Sequence, residues 1–195
     1  MSKKIKIAII ISSVVAILCI VAVLAFFIVR QLQTKETVEN VIEVYANEPI
    51  QERIEKEKVT NTDELLLQID GESVVGAIRI DKINFEGLIY EGTSSDILEK
   101  GVGHFENSPY LDGNVCLAAH NTNKFWAKLH TLQEGDKITY TSFLGTNEYK
   151  VNKIVQISET DWTLLKNTDE NILTLITCVK GKPTQRLCIQ ALQVN

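Results

Sequence analysis

Thr174-Leu175-Ile176-Thr177-Cys178, a run of β-forming residues ending on a thiol, is followed by Val179-Lys180-Gly181-Lys182-Pro183-Thr184-Gln185 and then by Arg186-Leu187-Cys188-Ile189-Gln190-Ala191-Leu192. Branched apolar residues before the break and alternation after it read as two strands joined by a loop. Such a pair leaves Cys178 at a strand end and Arg186 at the start of the next strand, on adjoining ground. A thiol is a nucleophile as its thiolate, the form that a nearby cation favours. Arg186 suits that place because a guanidinium keeps its charge and does not compete as a base. Nucleophilic catalysis also needs a proton carrier, and the chain holds three histidines, His104, His120 and His130.

His120 is the best placed of them. It ends Asn114-Val115-Cys116-Leu117-Ala118-Ala119, a short apolar run after Gly113 that reads as a buried strand. A strand ending in His120 and another ending in Cys178 can meet at one end of a sheet, since Cys and His need only be neighbours in space. Thr-Leu-Ile-Thr-Cys followed by Arg, with a strand ending Ala-His far upstream, resembles the sortases, the cysteine transpeptidases of Gram-positive cell surfaces. Phe125-x3-Leu129-x2-Leu132-x2-Gly135-Asp136 is similar to a segment that the family places after its histidine, and Gly103-His104 and Asp112-Gly113-Asn114 echo positions upstream of it. The family's usual residue before the histidine is glycine; here it is Ala119.

The chain has an appendage. From Ile7 to Val29 there is no charged residue, about 23 positions, enough to span a bilayer with some tilt. Lys3, Lys4 and Lys6 precede this stretch, and their weight on a short tail argues that residues 1–6 stay cytoplasmic and that 7–29 is an anchor. A cleaved signal peptide is the competing reading. The apolar run exceeds a typical signal core, and no small-x-small site follows Phe26-Phe27. The expected location is therefore the cell membrane, single-pass, with the catalytic domain outside. Beyond residue 30 lie all 25 acids and 16 of the 20 cations, a net of −9, a sign that repels a nucleic-acid backbone.

Residues 30–73 are polar and charged apart from Val38, Val41, Ile42, Val44 and Tyr45, and Pro49 interrupts them before the charged stretch Gln51–Lys58. They read as a solvated stalk rather than an active-site lid, and Thr62-Asp63-Glu64 offers a helix start. The catalytic domain is expected over 74–195. Val74–Ile80 and Ile83–Tyr90 read as strands, Ser94–Lys100 as a short helix stopped by Gly101, Phe125–Leu132 as helically spaced, and Lys137–Phe143 with Glu148–Ile157 as a hairpin. Many short strands with two or three short helices make the expected fold mainly β, a closed barrel or sandwich. The resemblance specifies a closed sortase-like β-barrel behind a single transmembrane helix.

The resemblance also implies a chemistry. Cys178 would attack the peptide bond after Thr in an LPxTG-like sorting signal of a secreted protein, giving a thioacyl-enzyme. His120 would protonate the leaving amine and deprotonate an incoming cell-wall or pilin amine, and Arg186 would steady the oxyanion. Ile176 and Thr177 would line the peptide groove. No cofactor is implied. Some sortases use calcium held by loop carboxylates, a pattern that Glu106 and Asp112 match only in part, so no metal site is expected. The polar stalk and the segment 171–195 look nearest to class D.

Blander roles stay open beside these. Cys178 taken alone would be a small core hydrophobe, and Arg186 alone a surface cation. His104 is the reserve base, and His130 reads as structural or solvent-facing. Cys19 and Cys116 read as apolar packing. Cys188 shares Arg186's strand face and is expected free, although a disulfide to Cys116 or Cys178 is conceivable outside the cell. At the level of function, a membrane-tethered binding module and a hydrolysing thiol peptidase are the alternatives.

Overall fold

The computed structural model describes residues 3–47 and 65–194, with side chains from Ile10 onward. Helix α1, Lys3–Asn47, opens the chain. Its large apolar side chains from Ile10 to Leu32 are exposed, and it is long and apolar enough to cross a membrane. Apolar residues on every side of a helix suit lipid as the surrounding solvent.

The chain divides into two compact units, Met1–Thr37 and Val38–Asn195. The expected stalk therefore does not hold as one solvated stretch. Val38, Val41 and Tyr45 fall on one helix face and are buried with Leu65, Leu66, Val74 and Phe143. The Tyr45 hydroxyl donates to Val74 O at 2.6 Å and accepts from Leu67 N at 2.9 Å. A three-residue stripe among charges is easily missed in a linear sequence, yet it starts the folded unit about 36 residues before Val74 on the ordinary 3.6-residue periodicity of a helix. The charged stretch Gln51–Lys58 and the helix start at Thr62 lie outside the described residues.

The second unit is a β-barrel. Its strands are β1 Leu67–Ile69, β2 Glu72–Ile80, β3 Phe85–Glu91, β4 Val102–His104, β5 Asn114–Ala118, β6 Lys137–Ser142, β7 Gly145–Ser158, β8 Ile172–Val179 and β9 Lys182–Gln193. They lie in the order β1-β2-β3-β4-β5-β8-β9-β7-β6, and β6 returns to β2, so eight strands close and β1 remains outside the ring. Closure pairs Gly76 with Ser142 and Ile78 with Tyr140. Gly76 is required at the seam because a Cβ there would stand 1.8 Å from Thr141 O. Val75, Ile78 and Ile80 point into the barrel core, while Val74 and Ala77 face the cluster around Tyr45. With both faces covered, β2 reads as a nearly continuous apolar run.

Between β3 and β4 runs the short helix α2, Ser95–Lys100, capped by Ser94, whose hydroxyl accepts from Ile97 N at 3.4 Å. The helix expected over 125–132 is instead a series of turns with a single 3-10 turn, Leu129–Thr131. Trp126, Leu129 and Leu132 are all buried, as their spacing demands. Their backbone, however, wraps the His120 carbonyl, which accepts from Thr122 N at 2.9 Å and Trp126 N at 3.1 Å.

Candidate active site

The strands that matter lie side by side. β8 pairs in parallel with β5 and antiparallel with β9. In the second pairing Cys178 is the direct partner of Arg186, and directly opposed residues on a sheet project to the same face. Cys178 is exposed and Arg186 half-buried. On the other flank Ala118 pairs with Ile176, and Ala119 N donates to Ile176 O at 3.2 Å. His120 follows at once, half-exposed, and the side chain of Asn121 donates to Cys178 O at 2.6 Å. Cys178 and Arg186, paired across β8 and β9, and His120, two residues past the end of β5, thus lie at the same barrel rim.

Thr177 does not line a groove. Successive strand residues face opposite sides of a sheet, so Ile176 and Thr177 cannot share one. Thr177 is buried, and its hydroxyl donates to Ala119 O at 2.7 Å, tying the strand end that carries His120 to the strand that carries Cys178. Ile176 lies on the outer face. There a cleft of about 300 Å³ is lined by Leu98, Phe105, Trp162, Leu165 and Ile176 among others, with Glu159, Asp161 and Arg186 as its charged members. Trp162 is largely exposed at its lip and packs edge-to-face on Phe105 at 6.2 Å. The guanidinium of Arg186 donates to Pro183 O at 2.7 Å and to the Glu159 carboxylate at 2.9 Å. The sequence reading missed Phe105, Trp162, Leu165 and Glu159. A tryptophan in the polar stretch Ser158–Thr163 was the available signal.

All four cysteines are free. Cys188 opposes Ile176 and Cys116 opposes Thr174. Cys188 is thus diagonal to Cys178 and a strand removed from Cys116, separations that a disulfide does not span without moving backbone. Burial pushes the Cys116 thiol up to about 12 and that of Cys188 to about 11, so both stay protonated at neutral pH.

His104 occupies a different setting. It is fully buried and stacked on Tyr110. Its Nδ1 lies 3.2 and 3.1 Å from the two Glu91 carboxylate oxygens, and its Nε2 lies 3.0 Å from Ser108 Oγ and 3.2 Å from Pro109 O. Serine, histidine and glutamate stand in the order of a hydrolytic triad. The serine is nonetheless sealed: it is buried, and its Oγ accepts from Cys116 N at 3.1 Å. This network pins the loop after β4 to β5. A hollow of about 460 Å³, lined by Glu72, Glu91, Glu106 and Tyr110 among others, contains none of the three rim residues. Among the described residues, Glu106 and Asp112 included, no three His, Cys, Asp or Glu side chains are grouped as ligands of one ion.

With this geometry in view, the relatives are informative. The sortase domain family matches residues 78–194. Sortase D of Bacillus subtilis strain 168 is 36% identical over 107 residues, 53% of this chain and 53% of its own length. Sortase A of Listeria monocytogenes is 30% identical over 120 residues, 60% of this chain and 53% of its own. The chain thus spans about half the length of the curated relatives it matches. Among solved structures, a Clostridium perfringens Sortase D5 transpeptidase superposes with a TM-score of 0.65 at 28% identity, covering 83% of this chain and 98% of that one. A Clostridium perfringens sortase C solved with the C-terminal cell wall sorting motif gives 0.64 at 28%, covering 82% and 98%. The chain belongs to the sortase family, a family of cysteine transpeptidases. Its fold is the closed mainly-β barrel of that family behind an apolar helix, and its relatives include class D sortases.

Proposed function

We propose that this protein is a membrane-anchored cysteine transpeptidase that cleaves an LPxTG-like sorting signal after Thr and joins the released acyl group to a cell-wall or pilin amine. The observation that carries it is the direct pairing of Cys178 with Arg186 across β8 and β9, beside the strand end that bears His120. The Cys178 thiolate attacks the threonine carbonyl carbon, forming a C–S bond, and negative charge develops on the carbonyl oxygen. The Arg186 guanidinium, held at the rim by Pro183 O and Glu159, stabilises that oxyanion. The C–N bond then breaks as the His120 imidazolium gives its proton to the leaving amine. A second amine attacks the thioester and yields its proton to His120. The C–S bond breaks, and the thiolate returns. The apolar cleft beside Ile176 takes the apolar side chain of the signal. The apolar helix anchors the enzyme, with residues 1–6 cytoplasmic and the barrel outside.

The test sets the full-length chain in detergent beside its Cys178→Ala form. Each is incubated with LPxTG and LPxTA peptides, with and without a glycine or diaminopimelate amine, and products are read by mass. An amine-joined product from the parent alone is the expected result. Cleavage to the acid alone, whatever amine is offered, makes the protein a thiol peptidase. Intact peptides together with a Cys178 that resists alkylation make it a binding module.

A further inference from the structure

The outer wall of the cleft comes from residues 159–171, between β7 and β8. Apart from the 3-10 turn Thr163–Leu165 this stretch has no regular structure, and bonds to the strands beside it add to the few it makes within itself. Those contacts converge on Asn114, the first residue of β5, which is 1% exposed. Its Nδ2 donates to Leu164 O and to Lys166 O, each at 2.9 Å. Its Oδ1 accepts from Thr174 Oγ1 at 2.6 Å, and its backbone N donates to Asn167 Oδ1 at 3.1 Å. Every polar atom of the side chain is thereby engaged, as a buried amide requires. The two carbonyls it holds flank Leu165, a wall residue of the cleft.

Neighbouring bonds complete the clamp. Gly113 N donates to Asn171 Oδ1 at 2.8 Å, and Gln190 Nε2 donates to Leu164 O at 3.2 Å. Gly113 sits so close under the loop, at φ +85°, that a Cβ would stand 2.4 Å from Asn167 Oδ1. Cys116 is buried beneath the same loop, its thiol donating to Leu165 O at 3.7 Å.

We infer that Asn114 is a positioning residue for substrate recognition: through Leu164 O and Lys166 O it fixes Leu165, and so sets the width of the cleft that receives the apolar residue of the sorting signal. The naming of the ligand rests on the transpeptidase reading above; the clamp itself does not. The site demands two donors and one acceptor in one planar group. Aspartate has the same outline but turns oxygens toward two carbonyls. Leucine takes the only donor among the described residues from Lys166 O and the acceptor from the Thr174 hydroxyl proton, and leaves Leu164 O with Gln190 Nε2 alone, a loss that burial makes costly.

The test uses the full-length chain with Asn114→Asp and, because a buried change can cost the fold, Asn167→Ala, which removes one loop bond at an exposed position. In a Cys178→Ala background, maleimide labelling of Cys116 is followed by peptide mass. Asn114→Asp is expected to speed that labelling about tenfold, and Asn167→Ala about two- to threefold, with the melting temperature of the latter near that of the parent. With Cys178 present, Asn114→Asp is expected to raise KM about fivefold or more while kcat stays within about twofold. Its preference for Leu over Ala at the first signal position should narrow. Cys116 labelling at the parent rate in both variants overturns the clamp. A fall in kcat with KM unchanged overturns the recognition role. If even the parent cleaves no sorting peptide, the transpeptidase reading fails, and the labelling rates alone decide the clamp.

Discussion

Two histidines of this molecule sit among comparable chemical groups and differ in everything else. His104 has both ring nitrogens engaged, lies fully inside the protein and stands between a serine and a glutamate. His120 is half-exposed at the barrel rim, beside an exposed thiol and a half-buried arginine. The first arrangement has the more complete hydrogen bonding and the poorer access. The second has looser geometry, and among the described residues no hydrogen bond joins Cys178 to His120. Catalytic hydrogen bonds commonly tighten only when substrate binds, and a nucleophile has to be reached before it can act. Satisfied polar groups in a sealed site stabilise a fold; reactive groups are left partly open. The two sites should therefore answer mutation in opposite ways.

The largest effect is expected at the rim. Under the proposed mechanism Cys178→Ala lowers kcat/KM for a sorting peptide by at least about 10⁴-fold, while the unfolding midpoint barely moves because the side chain is exposed. His120→Ala and Arg186→Ala follow, each at about 10²- to 10⁴-fold, again with little change in the midpoint. Steady-state kinetics beside denaturant titration read both quantities. A rim variant that retained activity but lost stability would erase the contrast.

His104→Ala is expected to do the reverse. Removing one member of a buried, hydrogen-bonded pair should cost about 3 kcal/mol of stability, with kcat per folded molecule close to the parent's. Glu91→Gln, which keeps the shape and one acceptor, should cost about 1 kcal/mol. If His104→Ala abolished turnover in a protein of normal stability, His104 would be the base and His120 the structural residue.

The thiols sharpen the contrast at smaller scale. Iodoacetamide at neutral pH is expected to modify Cys178 well before Cys116 or Cys188, which burial keeps protonated. The same burial has a pH signature. The folded chain holds these two protons up to about 12 and about 11, whereas the unfolded chain releases them near ~8.5. The folded state therefore binds more protons above that point, and stability falls as pH rises from about 9. Urea midpoints at pH 8 and pH 10 should show a drop that is shallower in a Cys116→Ala/Cys188→Ala variant.

Much of the rim was legible because strand periodicity and position carry it. A β-forming run ending on Cys178, a following strand opening on Arg186 and an apolar strand ending before His120 define ends, and ends of adjacent strands are where residues meet. The rim's finer division was also within reach, since alternation alone forbids Ile176 and Thr177 from sharing a face. The cleft wall was not. Residues 159–171 lack periodicity, and their path is set by bonds from Asn114, Gln190 and Gly113 N, partners distant in sequence.

The chain by itself determined its apolar helix, most of its strands and the order of Cys178, Arg186 and His120 along them, because each is written in a local period or composition. Tertiary structure decided which histidine is sealed and which is reachable, that Val38, Val41 and Tyr45 belong to the folded unit, and that Asn114 bonds the loop between β7 and β8. Those outcomes depend on contacts between residues far apart in sequence. A local pattern can say that a side chain is to be buried or bonded, but only the closed barrel supplies the partner.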